Sequence, residues 1–278
     1  IVLRRVDEPL VKVSLDSFSS WDEPPEREIL RPNLKKVLIL AYNPNLGLIV
    51  SELAKHATSD ISVTVACAES VGAEAQVRSR YAELFTGGLT LSFTEFDLAE
   101  TWRLEAIQPW NFDVIFIVAD EADKTIDADS KTIMLLLLLS EIKSKQKVAE
   151  FPPVVAELLN SESRQLCAGT PLTDAIVSTE ILSIQLAQLA RDPFLETLYT
   201  ELLNAGGIEV GLRSVKHYAK LGDPVSMADV TRSALRFNEV VLGYRTRDAG
   251  VVINPNKDDF VVFDERDRLI VLAQQIYA

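Results

Sequence analysis

Histidine, cysteine and methionine are scarce, since the 278-residue chain contains only two of each. His56 and His217 are isolated and lack the H-E-x-x-H pairing of zinc peptidases, and Cys67 and Cys167 form no C-x-x-C motif. These residues therefore supply neither a zinc site nor a disulfide framework. Two cysteines in apolar or small-residue surroundings indicate a reducing compartment.

The sequence also lacks the motifs of common enzyme classes. It has no G-x-S-x-G elbow and no P-loop, and no tyrosine is followed by a lysine four positions later. Either histidine has the chemistry of a general base, but both are predicted to be exposed residues at helix ends. We predict that the chain has no catalytic residues and is not an enzyme.

Positive charge and long apolar runs are lacking too. The net charge is −13, from 28 Lys and Arg against 41 Asp and Glu, which argues against a nucleic-acid partner. The longest apolar run, Ile133 to Leu139, is far shorter than the roughly 20 residues that a membrane helix needs. Because the chain begins at Ile1 without methionine, we expect it to be a fragment of a longer protein. The lack of a membrane segment in this chain therefore says nothing about membrane segments in the parent.

Apolar strands alternate with helical patterns between residues 35 and 178. This alternation predicts βαβ units and a parallel sheet with helices on both faces, which is a Rossmann-like lobe of an α/β protein. The predicted strands are Lys35–Leu40, Ile61–Ala66, Leu89–Phe93, Asp113–Val118, Pro152–Leu158 and Ala175–Val177.

The flanking regions follow other patterns. Residues 1–34, with Pro24 and Pro25, are predicted to be an extended arm or linker. Residues 179–205 are predicted to form crossover and connecting helices, which end before Gly206 and Gly207. Shorter strands and one capped helix in residues 206–278 predict a small α+β C-terminal lobe.

The turn after the first strand is where a Rossmann domain binds a pyrophosphate. Its sequence here runs from Ala41 to Gly47, and only that last glycine remains of the usual pattern. Pro44 removes an N–H donor, so NAD binding in the usual mode is only weakly indicated. The candidate cofactor contacts are Tyr42, Asn43, Gly47 and, after the second strand, Glu69.

Acidic residues follow the fourth predicted strand, at the sheet edge where ligands of open α/β domains bind. Clustered carboxylates suit a hard cation such as Ca²⁺, although the spacing is not that of an EF-hand. The alternative is that Asp127 and Asp129 cap the following helix. The candidate metal ligands are Asp120, Glu121, Asp123, Asp127 and Asp129.

Several collinear motifs resemble one protein family, the Castor/Pollux-type ion channels. The resemblance is to their regulator-of-K⁺-conductance (RCK, TrkA-like) domain, and more narrowly to the second domain of the tandem pair. It runs from about Asn33 to the C-terminus. The motifs are Phe112–Glu121, Asp129–Thr132, Asp174–Ser183, Phe237–Arg245 and Ile253–Pro255, followed by Val261–Phe263 and Asp267–Ala273.

The resemblance implies a Rossmann-like lobe, a crossover helix and a C-terminal lobe, in which Gly243 lets a strand bend. It further implies assembly into a ring beneath a tetrameric cation channel, at the cytosolic face of a membrane, with Ca²⁺ as a candidate ligand. The turn after the first strand departs from the family. Ala41 replaces a glycine, and Asn43 and Pro44 stand where a positive charge is usual.

Three functions are weighed. The leading one is a non-catalytic regulatory domain, part of a gating ring, that converts ligand binding into opening of the parent's pore domain. The alternatives are an NAD(P)-dependent Rossmann oxidoreductase and a stand-alone ligand-sensing subunit of a transporter. Pore helices upstream of Ile1 in the parent gene would separate the first from the third, and titration with dinucleotides and Ca²⁺ would separate the first two.

Overall fold

The computed structural model describes residues 34–56, 60–85, 88–97, 101–120, 126–146, 150–203 and 207–274. The predicted arm at residues 1–34 therefore lies outside the described residues, except for Leu34. The chain divides into two compact units, with the boundary between Ile208 and Glu209. We call them the N-terminal unit and the C-terminal unit.

The N-terminal unit contains a six-stranded sheet in which every pair of neighbouring strands is parallel. Its strand order is β3-β2-β1-β4-β5-β6, which is the order of a Rossmann fold. The chain adds strands on one side of β1 as far as β3 and then on the other side from β4, so the switch point of the sheet lies between β1 and β4. The predicted fold class is confirmed. The strands are β1 Lys36–Leu40, β2 Ile61–Cys67, β3 Leu89–Glu95, β4 Val114–Ile117, β5 Val154–Leu158 and β6 Leu172–Val177.

Helices cover both faces of this sheet, which explains the continuous apolar run of β1. Val37 and Ile39 belong to one core cluster, and Leu38 and Leu40 belong to another. Because both faces are covered, successive side chains are buried in opposite directions and the strand shows no polar alternation. The helices are α1 Leu46–His56, α2 Ser70–Arg80, α3 Thr101–Ile107, α4 Ala128–Gln146, α5 Ser163–Leu166, α6 Ser178–Arg191 and α7 Leu195–Leu203.

The leucine run in α4 is only partly buried. Leu135, Leu136 and Leu139 lie in the core, whereas Met134 and Leu137 are exposed. A helix that is apolar on nearly every side favours burial beyond one sheet face, and self-association through the exposed residues of α4 stays a prediction.

The C-terminal unit is built on a four-stranded sheet of order β10-β9-β12-β7, which is antiparallel where β9 meets β10 and β12. Helix α8 packs on it through Met227, Val230 and Ala234, against Leu269 and Val271. A separate antiparallel pair joins β8 to β11. The elements are β7 Ile208–Ser214, β8 Pro224–Ser226, α8 Met227–Leu235, β9 Val240–Thr246, β10 Gly250–Ile253, β11 Phe260–Val262 and β12 Arg268–Gln274.

Gly243 lies at an irregular point of β9. The pairing with β12 shifts there, because Ile270 lies opposite Gly243 and Val271 lies opposite Val241. A Cβ atom on Gly243 would lie 2.0 Å from the carbonyl oxygen of Val252. Glycine is therefore needed for the close approach of β10.

Candidate functional site at the carboxyl edge of the parallel sheet

The carboxyl ends of β1 and β4 define the point where open α/β sheets bind their ligands. Three polar residues come together there from different strands. Asn43 follows β1, Asp120 follows β4, and Glu157 lies near the end of β5. We call this region the carboxyl edge.

The turn after β1 begins with a residue in the left-handed region. Ala41 has a φ of +70°, and its N–H donates to the carbonyl oxygen of Ala66 at 2.9 Å. A left-handed conformation costs an L-residue roughly 1–2 kcal/mol, a cost that glycine avoids. Ala41 therefore adopts, at a cost in stability, a backbone conformation that glycine adopts without strain.

Asn43 links this turn to β5. Its side chain is buried, and its Oδ1 atom accepts the N–H of Asn45 at 3.0 Å. Its Nδ2 atom donates to Oε2 of Glu157 at 3.0 Å. The first turn is therefore fixed by the chain's own amide and carboxylate groups.

Glu157 also reaches β4. The same Oε2 atom accepts the backbone N–H of Ala119 at 3.1 Å. One half-buried carboxylate of β5 thus joins the ends of β1 and β4 across the switch point. We call Asn43, Ala119 and Glu157 the Glu157 clamp. Local sequence spacing does not predict this clamp, although an acid in an otherwise apolar strand is a visible signal.

The other predicted cofactor contacts also have partners within the chain. A Cβ on Gly47 would lie 2.3 Å from the ring of Tyr81, so this glycine makes room for an aromatic side chain. The hydroxyl of Tyr42 donates to Oε1 of Gln76 at 2.8 Å, and burial raises the Tyr42 pKa. Glu69 precedes α2, where its carbonyl oxygen accepts the N–H of Ala73. Their assignment to a cofactor stays a prediction.

The acidic candidates divide into separate structural roles. The carboxylate of Asp127 accepts the N–H of Ser130 at 3.1 Å and so caps α4, as the alternative interpretation predicted for this residue. Asp129 is buried and does something different: its two oxygens accept the N–H groups of Leu159 at 2.7 Å and Asn160 at 2.9 Å. It thereby joins α4 to the loop after β5.

Asp120 pairs with a buried lysine. Its Oδ2 atom lies 3.4 Å from Nζ of Lys131, whose side chain is almost inaccessible to solvent. Glu121 and Asp123 lie outside the described residues. Among the residues that the structure describes, no group of three potential ligands is arranged to hold a metal ion. The Ca²⁺ assignment accordingly stays a prediction.

Both cysteines of the chain are buried. Burial, reinforced by the nearby charges of Asp120 and Glu69, raises the pKa of Cys67 to about 11, and burial also raises the pKa of Cys167. The thiolate is the reactive form, so neither residue has the character of a nucleophile at neutral pH.

A cleft of about 280 Å³ lies away from the carboxyl edge, at the start of β6. The guanidinium of Arg164 in this cleft donates to Asp174 Oδ1 and to the carbonyl oxygen of Ala175, each at 3.2 Å. The positive charge of Arg164 in this cleft is therefore already paired with groups of the chain itself.

A buried polar cluster stabilises the C-terminal unit. Glu239 accepts a hydrogen bond from the Tyr218 hydroxyl, and its Oε1 atom lies 3.1 Å from Nε of Arg213. Glu239 belongs to the Phe237–Arg245 motif, which also contains Gly243, the residue that lies against β10.

No family model matches the chain. The probable ion channel POLLUX of rice is 29% identical over 56% of this chain, and the ion channel CASTOR of Lotus japonicus is 25% identical over 68%. The matches cover only 19% and 28% of those relatives' lengths.

A solved structure, a GsuK channel bound to NAD, covers 87% of this chain and 37% of its own, with 13% identity and a TM-score of 0.34. A likeness this distant carries no argument about function. Within the described ranges, no helix combines the length and apolar character needed to cross a membrane. The sequence matches show that the chain is a homologue of one segment of the Castor/Pollux-type ion channels, as its motifs predicted.

Proposed function

We propose that the chain is a non-catalytic regulatory domain of RCK type, the second of a tandem pair, in a Castor/Pollux-like cation channel. The observation that carries this proposal is the similarity to a segment of proteins named as ion channels, in a chain that contains a Rossmann-like unit. The domain would lie at the cytosolic face of a membrane and act on the pore domain of its parent.

Gating requires a ligand that binds the open and closed states with different affinity. The carboxyl edge is the place we assign to it, with Ca²⁺ as the candidate and Asp120, Glu121 and Asp123 as the candidate ligands. Asp127 and Asp129 are weaker candidates, because backbone N–H groups already occupy oxygens of both carboxylates.

Exposed apolar helix surfaces support self-association into a gating ring, a homotetramer in the parent. In the described part of the chain, neither α6 nor α7 contains a buried residue. Extended apolar surface of this kind is characteristic of protein interfaces. The exposed apolar residues are Ile181, Leu182, Ile184 and Leu186 in α6, Leu198 and Leu203 in α7, and Phe194 between the two helices.

The test uses the full-length parent protein in excised membrane patches, with Ca²⁺ applied to the cytosolic side. We expect Ca²⁺ to change the open probability, and the double variant Asp120→Asn with Asp123→Asn to abolish that response. The matched control is Asp258→Asn with Asp259→Asn, two exposed acids in the loop before β11.

Two results would overturn the proposal. One is a parent protein that carries no current in any condition. The other is turnover of a dinucleotide substrate by this chain, which would favour the oxidoreductase instead. A Ca²⁺ response that survives in the Asp120/Asp123 variant would reject the site while leaving the regulatory function in place.

A further inference from the structure

We infer that the carboxylate of Glu157 takes the place of a ligand phosphate at the switch point of the sheet, so that this Rossmann-like unit does not bind a dinucleotide in the usual mode. The inference is independent of the proposed function. It rests on the hydrogen-bond donors, the space and the charge of the carboxyl edge.

The turn after β1 has few hydrogen-bond donors left for a ligand. A pyrophosphate is normally held by N–H groups of this turn and of the start of α1. Here Ala41 and Leu46 direct their N–H groups to carbonyl oxygens of the chain. The N–H of Asn45 is bound by the Asn43 side chain, and Pro44 has none to offer. Four positions of this turn thus have no spare N–H for a ligand.

The glycine pattern gives the second argument. A phosphate-binding turn uses glycine so that the backbone and the ligand approach closely. At the first position this chain has Ala41, whose left-handed backbone keeps the path but adds a methyl group. At the helix start it keeps Gly47, but the ring of Tyr81 fills the space that the missing side chain leaves.

Charge gives the third argument. Glu157 places a negative charge between the ends of β1 and β4, where it binds the donors of Asn43 and Ala119. A pyrophosphate brought to the same point would meet a like charge and would lose these two donors to the carboxylate. The buried ammonium of Lys131 does not offset this, since it pairs with Asp120.

The Glu157 clamp therefore makes, within the chain, bonds that a bound phosphate makes in other members of the fold. It satisfies one buried amide and one backbone N–H, and it holds three strand ends together. The carboxyl edge is closed to a dinucleotide by its own residues.

The first experiment is a titration of this chain with NAD⁺, NADH and ADP, each to roughly 1 mM, followed by the melting temperature and by calorimetry. A ligand present at many times its Kd raises the melting temperature measurably. We expect no shift and no binding heat with any of the three. A Kd below about 0.1 mM for any of them would overturn the inference, because such a ligand would be nearly saturating at 1 mM.

The second experiment tests the clamp itself. Glu157→Ala and Asn43→Ala should each lower the melting temperature by several degrees, since each leaves a buried partner unsatisfied. Glu157→Gln should lower the melting temperature much less, because the amide oxygen of glutamine can still accept both N–H groups. In the double Ala variant the losses should be clearly less than additive.

Glu162→Ala is the matched control, since this exposed glutamate lies in the turn after β5. It should melt as the parent chain does. If Glu157→Ala also melts unchanged, the clamp has no role and the inference fails. If Glu157→Ala does not fold, Glu157→Gln still tests the clamp: a loss as large as that of Asn43→Ala would contradict it.

Discussion

At the scale of single residues, backbone geometry explains why two positions carry very small residues. Ala41 is in the left-handed region, and Gly243 lies against the backbone of β10. Each position demands a small or absent side chain for a geometric reason. Substitutions at these two positions should therefore change stability in opposite directions.

We expect Ala41→Gly to stabilise the chain. The glycine removes the left-handed penalty of an L-residue, and the net gain after the added freedom of the unfolded chain is about 1 kcal/mol. The control is Ala75→Gly, at a solvent-exposed position in the middle of α2, which should lower the free energy of unfolding by about 1 kcal/mol. Urea unfolding measures both, and an Ala41→Gly variant that loses as much stability as the control would contradict the backbone assignment.

We expect Gly243→Ala to destabilise the chain by about 1–3 kcal/mol, because the added methyl group overlaps a backbone oxygen that cannot move alone. Gly72→Ala in α2 is its control. A Cβ there meets nothing closer than 3.8 Å, so this variant should gain up to about 1 kcal/mol from helix propensity. Equal effects of the two substitutions on the urea midpoint would count against the close approach of β10.

At the level of elements, α8 shows how local polar groups start a helix. The Ser226 hydroxyl accepts the N–H of Asp229 at 3.1 Å and donates to that residue's carboxylate at 2.7 Å. Ser226→Ala should cost about 1 kcal/mol, which is typical of a lost N-cap. Thr231→Ala in the same helix serves as the control, since it leaves the cap intact.

The same cap predicts a dependence on acidity. The hydrogen bond from Ser226, aided by Arg232, lowers the pKa of Asp229 below its usual value. A lowered folded pKa contributes stability above the unfolded pKa, and this contribution is lost as the pH falls through the folded pKa. The stability difference between the parent and Asp229→Asn should therefore narrow below about pH 4. A difference that stays constant from pH 6 to pH 2.5 would contradict this linkage.

Elements also show what sequence patterns can and cannot predict. The apolar run of β1 predicted a strand with both faces covered, and the structure buries it in two clusters. Strands β8 and β11 were missed because three residues are too few to show alternation, and β8 starts at Pro224. They are specified by their pairing with each other, which is a contact distant in sequence.

The sequence predicted which residues follow the strands at the carboxyl edge, but not which groups those residues contact. An acid in the first turn of α4 has the pattern of a cap, yet Asp129 binds N–H groups some thirty positions away. Gly47 has the pattern of a phosphate-binding glycine, yet it accommodates Tyr81. In both cases the side-chain partner comes from a remote part of the chain, so local spacing could not reveal it.

At the scale of the whole molecule, the exposed apolar surface of α6 and α7 predicts concentration-dependent association. Leu186→Glu with Phe194→Glu should shift the chain towards the monomer in analytical ultracentrifugation, because charge is costly in an apolar interface. Both residues are exposed, so the melting temperature of dilute protein should change little. Val71→Glu, at an exposed position of α2, is the control, and a chain that is monomeric at every concentration would contradict this prediction.

The two buried cysteines bear on how motions of this protein can be followed. Their raised pKa values leave little thiolate at neutral pH, and their side chains are out of contact with solvent. A maleimide dye or spin label should therefore react far faster with a cysteine introduced at an exposed position than with either native thiol. Ligand-dependent distances could then be measured by fluorescence or electron spin resonance in the native sequence background, with Cys67 and Cys167 left in place.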